Sequence, residues 1–395
     1  SDQRVQLPPT MNNKIPFNKP CVVGTELAYV SEAIASGHQS GNGPFSKRCE
    51  RILETEIGCS RALLTPSCTH ALELAALLLD IRPGDEVIMP SFTFVSTANA
   101  FALRGATIVF VDLCPQTLNM DPIAVAAAIT PKTRAIVPVH YAGVPCDMEA
   151  ILALARSHSV AVVEDAAQAI GSRYRGKPAG SFGQLAALSF HETKNLTSGG
   201  EGGALLINDE SLVDRAEVLR EKGTNRAAFF RGHVDKYSWV DVGSSLLPSE
   251  LQSAYLLAQL EARSSILAER GRVWSAYQAR LALSAPHLRL PAVPEGVDHN
   301  SHIFHVRVDS LRTRTLLLER LNQLGIHAVF HYVPLHSAPA AKHRSRFSGV
   351  DLHTTAESER LIRLPLWYGM TDLDVKRVCD CIDLATKELR GSPCL

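Results

Sequence analysis

Val160-Ala161-Val162-Val163-Glu164-Asp165-Ala166-Ala167-Gln168 is the stretch on which the fold turns. It opens on an apolar, valine-rich run that is too short for a helix, and that pattern reads as a strand buried in a parallel sheet. The run ends in a carboxylate followed by small residues. In open α/β sheets the ligand sits at the C-terminal ends of the strands, so Asp165 stands where a site is expected.

Working outward, short β-branched runs alternate with Ala/Leu-rich segments of helical length from about residue 60 to 210, the rhythm of a mostly parallel sheet covered by helices. The expected strands are 61–65, 86–89, 107–112, 135–140, 160–165, 187–190 and 203–208. The expected helices between them are 71–79, 96–103, 122–128 and 148–158. Pro83-Gly84-Asp85 and Gly105 punctuate the helix-to-strand turns. A helix over 211–222, an irregular polar and aromatic stretch (223–245) and a long helix over 249–284 follow. Beyond Pro291 the order becomes strand (302–308), helix (314–324), strand-like segment (328–332), loop and final helix (372–390). The expected fold class is α/β: a large domain with a mostly parallel sheet over 15–255, a smaller α+β domain over 256–395, and an N-terminal extension over 1–14.

Composition narrows the function. The chain of 395 residues is 46% hydrophobic and 20% charged, the balance of an ordinary globular protein. Lys plus Arg and Asp plus Glu are 40 each, which argues against a general nucleic-acid binder, because such proteins need a surplus of cations. No apolar run approaches the ~20 residues of a membrane span, and Ser1–Asn13 has no apolar signal core, so a cytoplasmic location is expected. The nine cysteines are scattered, without the spacing of a disulfide framework or a metal site, and read as free thiols.

Three places at strand ends carry chemistry. Thr65-Pro66-Ser67-Cys68-Thr69-His70 lies between a strand and an Ala/Leu helix, where backbone N–H groups and small hydroxyls can seat a phosphate; plain N-capping by Ser67 or Thr69 explains it equally well. At the second, Asp165 leaves a buried strand, where a carboxylate is costly unless a cation or donors meet it; a pyridinium nitrogen is one such cation, a helix cap or a metal the commoner alternatives. The third is Leu188-Ser189-Phe190-His191-Glu192-Thr193-Lys194-Asn195, followed by the glycine-rich 199–203. A Lys beyond a buried strand can be desolvated enough to act as a Schiff-base amine, although a lone loop Lys is usually solvated. A phosphate seat, a carboxylate for a ring nitrogen and an amine for an aldehyde are together the three anchors of pyridoxal phosphate. Phe94, past another strand end, could stack on a flat ring or be ordinary core. No P-loop and no GxGxxG follows a strand. A metal at His331 and His336 is disfavoured, because a Pro separates them rather than a helical turn.

At these residues the sequence resembles the nucleotide-sugar aminotransferases of the DegT/DnrJ/EryC1/StrS type, a branch of the aspartate-aminotransferase fold (fold type I). The likeness runs from Ile15-Pro16-Phe17 to Leu364-Pro365-Leu366. Its carriers are Leu64-Thr65-Pro66-Ser67-Cys68-Thr69, the block Pro90-Ser91-Phe92-Thr93-Phe94-Val95-Ser96-Thr97, Val137-Pro138-Val139-His140-Tyr141-Ala142-Gly143, Ser189-Phe190-His191-Glu192-Thr193-Lys194-Asn195 and Arg220-Glu221-Lys222-Gly223-Thr224-Asn225-Arg226.

The resemblance implies that Lys194 is catalytic and carries the cofactor, that Asp165 pairs with the pyridine nitrogen, that Gln168 bonds the ring hydroxyl and that Phe94 covers the ring. Ser67, Cys68, Thr69 and Ser189 would hold the phosphate. Ser245 stands where many relatives send an Asn across a dimer interface to that phosphate, and Leu247 replaces an Arg of the same stretch. For the substrate, Lys222, Asn225 and Arg226 would meet a nucleotide diphosphate, with a solvated loop charge as the competing reading, and His331, Tyr332 and His336 would face the sugar. The implied reaction moves an amino group from glutamate to dTDP-4-keto-6-deoxyglucose, in a homodimer with sites at the interface. A 3-keto-sugar aminotransferase is one alternative. A second is a dehydratase-like relative, although those with His in place of the Lys depart from this chain. A cofactor-binding regulatory protein without turnover is the alternative from another class.

Overall fold

The structure, a computed structural model, describes residues 14–391. The expected extension 1–14 falls outside those residues but for Lys14. Among the described residues no helix is long and apolar enough to cross a membrane.

Strands β1 (Arg61–Thr65), β2 (Glu86–Pro90), β3 (Thr107–Val111), β4 (Thr133–Ile136) and β5 (Ala161–Asp165) come first. The short hairpin β6 (Arg173–Tyr174) and β7 (Lys177–Pro178) precedes β8 (Leu185–Ser189) and β9 (Gly203–Ile207). In the C-terminal third lie β10 (Val297–Asp298), β11 (His305–Arg307), β12 (Ser345–Phe347) and β13 (Leu361–Arg363). The central sheet has eight strands in the order β1-β9-β8-β5-β4-β2-β3-β12. Only β9 runs against its neighbours, pairing antiparallel with β1 and β8. Apart from the strand-like segment 328–332, the expected strands are therefore all present, with ends shifted by four residues or fewer.

Helices cover both faces, and alternation along each strand decides which residue meets which. Val163 packs with α3 (Cys68–Leu78) and α4 (Val95–Ala102), while Val162 packs with α5 (Pro122–Ala128) and α6 (Met148–His158). Local chemistry sets the helix starts: Ser67 accepts from His70 N, Asp121 precedes Pro122, and Asp147 accepts from Ala150 N. Helix α2 (Pro44–Ile57) takes its cap from a distance, since buried Glu250 accepts from the backbone of Gly43, Phe45 and Ser46.

Helix α7 (Val213–Arg220) stands for the one expected over 211–222, and the short α8 (Arg226–Phe230) lies within the stretch expected to be irregular. Two further expectations change. The long helix over 249–284 is two helices, α9 (Glu250–Glu261) and α10 (Arg263–Ser284), which break at Ala262, where ψ turns to 4°. Helix α9 packs on α1 (Glu26–Ala35) and α2, whereas α10 packs on the terminal α13 (Asp372–Gly391), so each half serves a different core and no Gly or Pro is needed to divide them. The expected division at 255/256 thus falls inside α9. The strand-like segment 328–332 forms no strand. A single bridge, Val329 with Arg363, holds it, because Pro334 and the turn after it draw the backbone away from β13.

A second core gathers α10, α11 (Leu311–Gln323) and α13 around the β11–β13 ladder, with Tyr277, Phe304, Leu317, Ile362 and Val378 wholly buried. Ile15 joins this core and bridges Ile326. The chain then returns to the large sheet, where β12 pairs in parallel with β3 and α12 (Thr354–Arg360) starts under Asp112.

Candidate active site

A cavity of about 550 Å³ opens at the C-terminal ends of β1, β5 and β8, and the second core closes its far wall. Ser67, Cys68 and Thr69 line it from the first turn of α3, Asp165 and Gln168 from the end of β5, Ser189 and Lys194 from beyond β8, and Phe94 from the start of α4.

The floor of the phosphate seat is built by close approach. Backbone N–H groups in the first turn of α3 have no acceptor within the helix and face the cavity beside the Ser67 and Thr69 hydroxyls. A Cβ on Gly203 of β9 would lie 2.4 Å from Cys68 N, so glycine is what lets the strand pass under that turn. Ser67 does cap the helix, accepting from His70 N at 3.2 Å, so capping and anion seat coexist in one turn. The Thr69 hydroxyl meets that of Ser96 at 2.7 Å.

Asp165 is 5% exposed. Its carboxylate accepts from Thr97 Oγ1 at 2.7 Å and from Ala167 N at 3.2 Å. A carboxylate has about four acceptor positions, so half of its capacity is left toward the cavity, where a ring N–H⁺ would fill it. Thr97 is fixed in turn by Thr93, 2.7 Å away. Gln168 Oε1 accepts from Ala142 N, and its Nε2 donates to the Tyr332 hydroxyl at 3.0 Å, with the second N–H left for a ring oxygen.

Lys194 lines the cavity, and burial of its amine lowers its pKa, with Asp165 acting in the opposite sense and the Arg363 charge adding to the lowering. A buried lysine that releases its proton easily is a nucleophile and a base. Beside it, His302 Nδ1 lies 2.8 Å from Asn195 Oδ1, so Nδ1 carries the proton and Nε2 is left as acceptor. Asn195 also donates to the Asn300 carbonyl, and Asn300 to those of Gln168 and Ile170, which ties the approach to β11 onto the cofactor end of β5.

The second core supplies the residues that local sequence did not reveal: His302, Arg363 and, from the N-terminal segment, Phe17. Arg363 NH1 donates to His331 Nε2 at 3.2 Å, and the neutral His331 therefore carries its proton on Nδ1, facing the Tyr141 hydroxyl at 3.2 Å. Burial holds His302 and His331 well below the usual imidazole pKa, chiefly by desolvation and then by the neighbouring cations. Thr97 lay within reach of sequence reading, one helical turn after Thr93 in a block already singled out.

Other expected residues stand elsewhere. Phe94 is 58% exposed at the lip, with its ring 6.5 Å from that of Tyr332, while Phe92 is the core phenylalanine. His331 and Tyr332 line the cavity, but His336 points off it, bonded to Ser91 Oγ and 3.2 Å from Asp351, because the turn at Pro334 carries it past the rim. Lys222, Asn225, Arg226 and Ser245 lie outside the cavity of the single chain. Asn225 orders its own loop by bonding Lys236 O and Ser238 N, Arg226 stacks on Phe230, and Ser245 bridges Glu221. This 222–245 stretch exposes Phe230, Tyr237, Trp239, Val240 and Val242.

The anchors therefore suit pyridoxal phosphate: a helix start with hydroxyls for the phosphate, a part-satisfied carboxylate for the ring nitrogen and a desolvated amine for the aldehyde. Comparison with known proteins agrees with that fit. Residues 20–383 match the DegT/DnrJ/EryC1/StrS aminotransferase family. The chain is 36% identical over 380 residues to the spore coat polysaccharide biosynthesis protein SpsC of Bacillus subtilis (strain 168), covering 94% of this chain and 97% of that protein. Among solved structures it is similar to the aminotransferase TlmJ from Streptoalloteichus hindustanus, with a TM-score of 0.88, 32% identity, and 95% and 100% of the two chains covered. It is also similar to the sugar aminotransferase Spr1654 from Streptococcus pneumoniae in its PLP form, with a TM-score of 0.86, 28% identity, and 95% and 100% covered. The chain belongs to the DegT/DnrJ/EryC1/StrS aminotransferase family and is a pyridoxal-phosphate-dependent sugar aminotransferase.

Proposed function

We propose that this enzyme transfers an amino group from glutamate to the keto carbon of dTDP-4-keto-6-deoxyglucose and releases a dTDP-4-amino-4,6-dideoxyhexose. The observation that carries the reading is the meeting of Lys194, Asp165 and the Ser67–Thr69 helix start in one cavity, which is also lined by the hydroxyl- and imidazole-bearing Tyr332, His331 and His302. Those groups offer donors and acceptors to a sugar. The kinship with a polysaccharide biosynthesis protein supports a sugar acceptor.

When bound, pyridoxal phosphate supplies an electron sink that makes a proton on the amine-bearing carbon acidic. In the proposal Ser67, Thr69, Ser189 and the backbone of Cys68 bind its phosphate, and Asp165, oriented by Thr97, holds a proton on the ring nitrogen. Gln168 orients the ring oxygen, and Phe94 covers the outer face. Lys194 takes a proton from the donor carbon in the first half-reaction and returns one to the sugar carbon in the second, both times from its own face of the cavity. Delivery from one face fixes whether the product amine is axial or equatorial.

The enzyme is proposed to act in the cytoplasm as a homodimer. The exposed aromatic stretch 222–245 is where a second copy would dock, bringing Ser245, Lys222, Asn225 and Arg226 to the mouth of the neighbouring cavity, where a nucleotide diphosphate needs cations.

The test is incubation with glutamate and dTDP-4-keto-6-deoxyglucose, following 2-oxoglutarate and the mass of the sugar. Equimolar 2-oxoglutarate and aminosugar are expected, and the H4–H5 coupling of the product reads its configuration. Lys194→Ala is expected to reduce turnover by roughly 10⁴-fold or more, since anchor and base are lost together. A dehydrated sugar, amination at C3 or full activity of that variant would overturn the reading.

A further inference from the structure

His336 stands off the cavity and is nonetheless engaged at both ring nitrogens. Nδ1 lies 2.7 Å from Ser91 Oγ, and that same oxygen accepts from the His336 backbone N at 3.0 Å. The Ser91 hydroxyl therefore gives its one proton to Nδ1, and the imidazole proton sits on Nε2, 3.2 Å from Asp351 Oδ2. The ring also packs edge-on against Phe347 of β12, 4.7 Å between centres. Ser, His and Asp bonded in this order have the connectivity of a hydrolytic triad. Ser91 is wholly buried and lines no part of the cavity, so it is no nucleophile, and the chain of bonds holds structure instead.

Two routes lead from His336, and both end on Tyr332. Along the first, His336 and Leu335 fasten Ser91, whose carbonyl accepts from Leu335 N at 3.0 Å. The next residue, Phe92, meets the Tyr332 ring edge-on, 5.5 Å between centres. Along the second, Asp351 receives Thr355 N at 3.1 Å and the Thr355 hydroxyl in the first turn of α12. One turn further on, Ser358 Oγ donates to the Tyr332 carbonyl. His336 is thus the one side chain that ties the loop after β2 to the start of α12, with Tyr332 held between them.

Tyr332 in turn governs Gln168. The amide of Gln168 is fixed at two points, Oε1 by Ala142 N at 2.7 Å and Nε2 by the Tyr332 hydroxyl at 3.0 Å. With the second of these lost, the amide turns about the first, and its remaining N–H has no set direction.

We propose that His336 is a positioning residue: by joining Ser91 to Asp351 it keeps the Tyr332 hydroxyl where it aims the Gln168 amide at the ring oxygen of the cofactor. This rests on the reading above that Gln168 meets that oxygen and that Tyr332 faces the sugar. His336 itself touches neither ligand. Its influence reaches the cofactor through Tyr332 and Gln168, and the sugar through Tyr332 alone.

The test titrates the visible absorbance of the bound cofactor in the holoenzyme without substrate. A donor at the ring oxygen favours the form of the cofactor that has lost its proton, so removing the donor raises the pH midpoint of the absorbance change. Gln168→Ala is expected to raise it by about one unit and His336→Leu, which makes neither bond, by about half a unit. His336→Leu is also expected to slow the single-turnover reaction of the pyridoxamine form with dTDP-4-keto-6-deoxyglucose about tenfold. His336→Asn keeps an acceptor for Ser91 and His336→Gln a donor for Asp351, so both are expected to lie between the wild type and His336→Leu. A wild-type midpoint in His336→Leu, alongside a raised one in Gln168→Ala, overturns the proposal whatever happens to the melting temperature, since His336 then serves stability alone. If His336→Leu does not fold, His336→Asn and His336→Gln decide by the same midpoint. An unmoved midpoint in Gln168→Ala overturns the placement of Gln168 and the proposal with it. Failure of the wild type to aminate the sugar, with both midpoints raised, overturns the proposed reaction and leaves the role of His336 toward the cofactor supported.

Discussion

Glu164 and Asp165 are consecutive in β5, and both are out of reach of solvent, at 0% and 5% exposure. Strand alternation sends them to opposite faces. Glu164 meets the N–H groups of Gly180, Phe182 and Gly183 and the His140 Nε2, which donates because His140 Nδ1 accepts from Cys146 N. Asp165 meets only Thr97 and Ala167 and faces the cavity. Both are deeply buried carboxylates, and what separates scaffold from site is the bonding capacity left over. A related contrast separates Arg220, closed by Glu50, Asn42 and the Leu64 carbonyl, from half-buried Arg363, which lines the cavity and bonds neutral His331.

The sharpest way to break this comparison is to remove each carboxylate. Asp165→Ala is expected to lower kcat/KM by roughly 10³-fold or more with little change in melting temperature, whereas a fall in stability without loss of turnover would put Asp165 with the scaffold. Glu50→Ala leaves Arg220 buried and unpaired and is expected to destabilise by about 3–5 kcal/mol in denaturant melts, whereas Arg363→Gln in the cofactor-free protein is expected to cost nothing or to stabilise. Glu164→Gln turns an amide N–H₂ toward backbone donors and is expected to cost about 2–3 kcal/mol while the surviving folded protein keeps its turnover.

The smallest effect concerns acid. Burial holds the folded-state pKa values of His302, His331 and His305 below the unfolded value of about 6.5, that of His305 at about 3. Between those values the unfolded chain binds protons that the folded one refuses, so stability falls as pH drops below 6.5 and stops falling only once the folded-state values are passed. At pH 5 the buried His305 is expected to cost about 2 kcal/mol, with His302 and His331 acting in the same direction, measurable as a loss in denaturant midpoint between pH 7 and 5 that shrinks in His305→Asn. An unchanged midpoint would show that these imidazoles are not held neutral.

Much of the large-domain half of the site was legible in the sequence, because there each functional group follows a strand within a few residues. The apolar run ending at Asp165, the Ser/Thr turn after β1 and Lys194 beyond β8 each carry a local signal, and the sheet brings their ends together. The far wall was not legible. Arg363 lies in Leu361-Ile362-Arg363-Leu364-Pro365, which reads as a plain apolar segment, and only the β11–β13 ladder turns it toward a cavity whose opposite side is about 200 residues earlier in the chain. His302 likewise depends on Asn195 for its orientation, a partner no periodicity could predict. The break at Ala262 escaped because α9 and α10 are both good helix formers, and only their change of partner divides them.

The return of β12 to the edge of β3 bears on how the chain is made. During synthesis the segment around Thr107–Val111 emerges more than two hundred residues before Ser345–Phe347. At roughly 5–20 residues per second its outer edge stays without a partner for on the order of ten to fifty seconds. Through that interval a strand of Thr, Ile, Val and Phe offers open N–H and C=O groups to any neighbouring nascent chain, so the ribosome-bound protein is more prone to aggregate than the finished one.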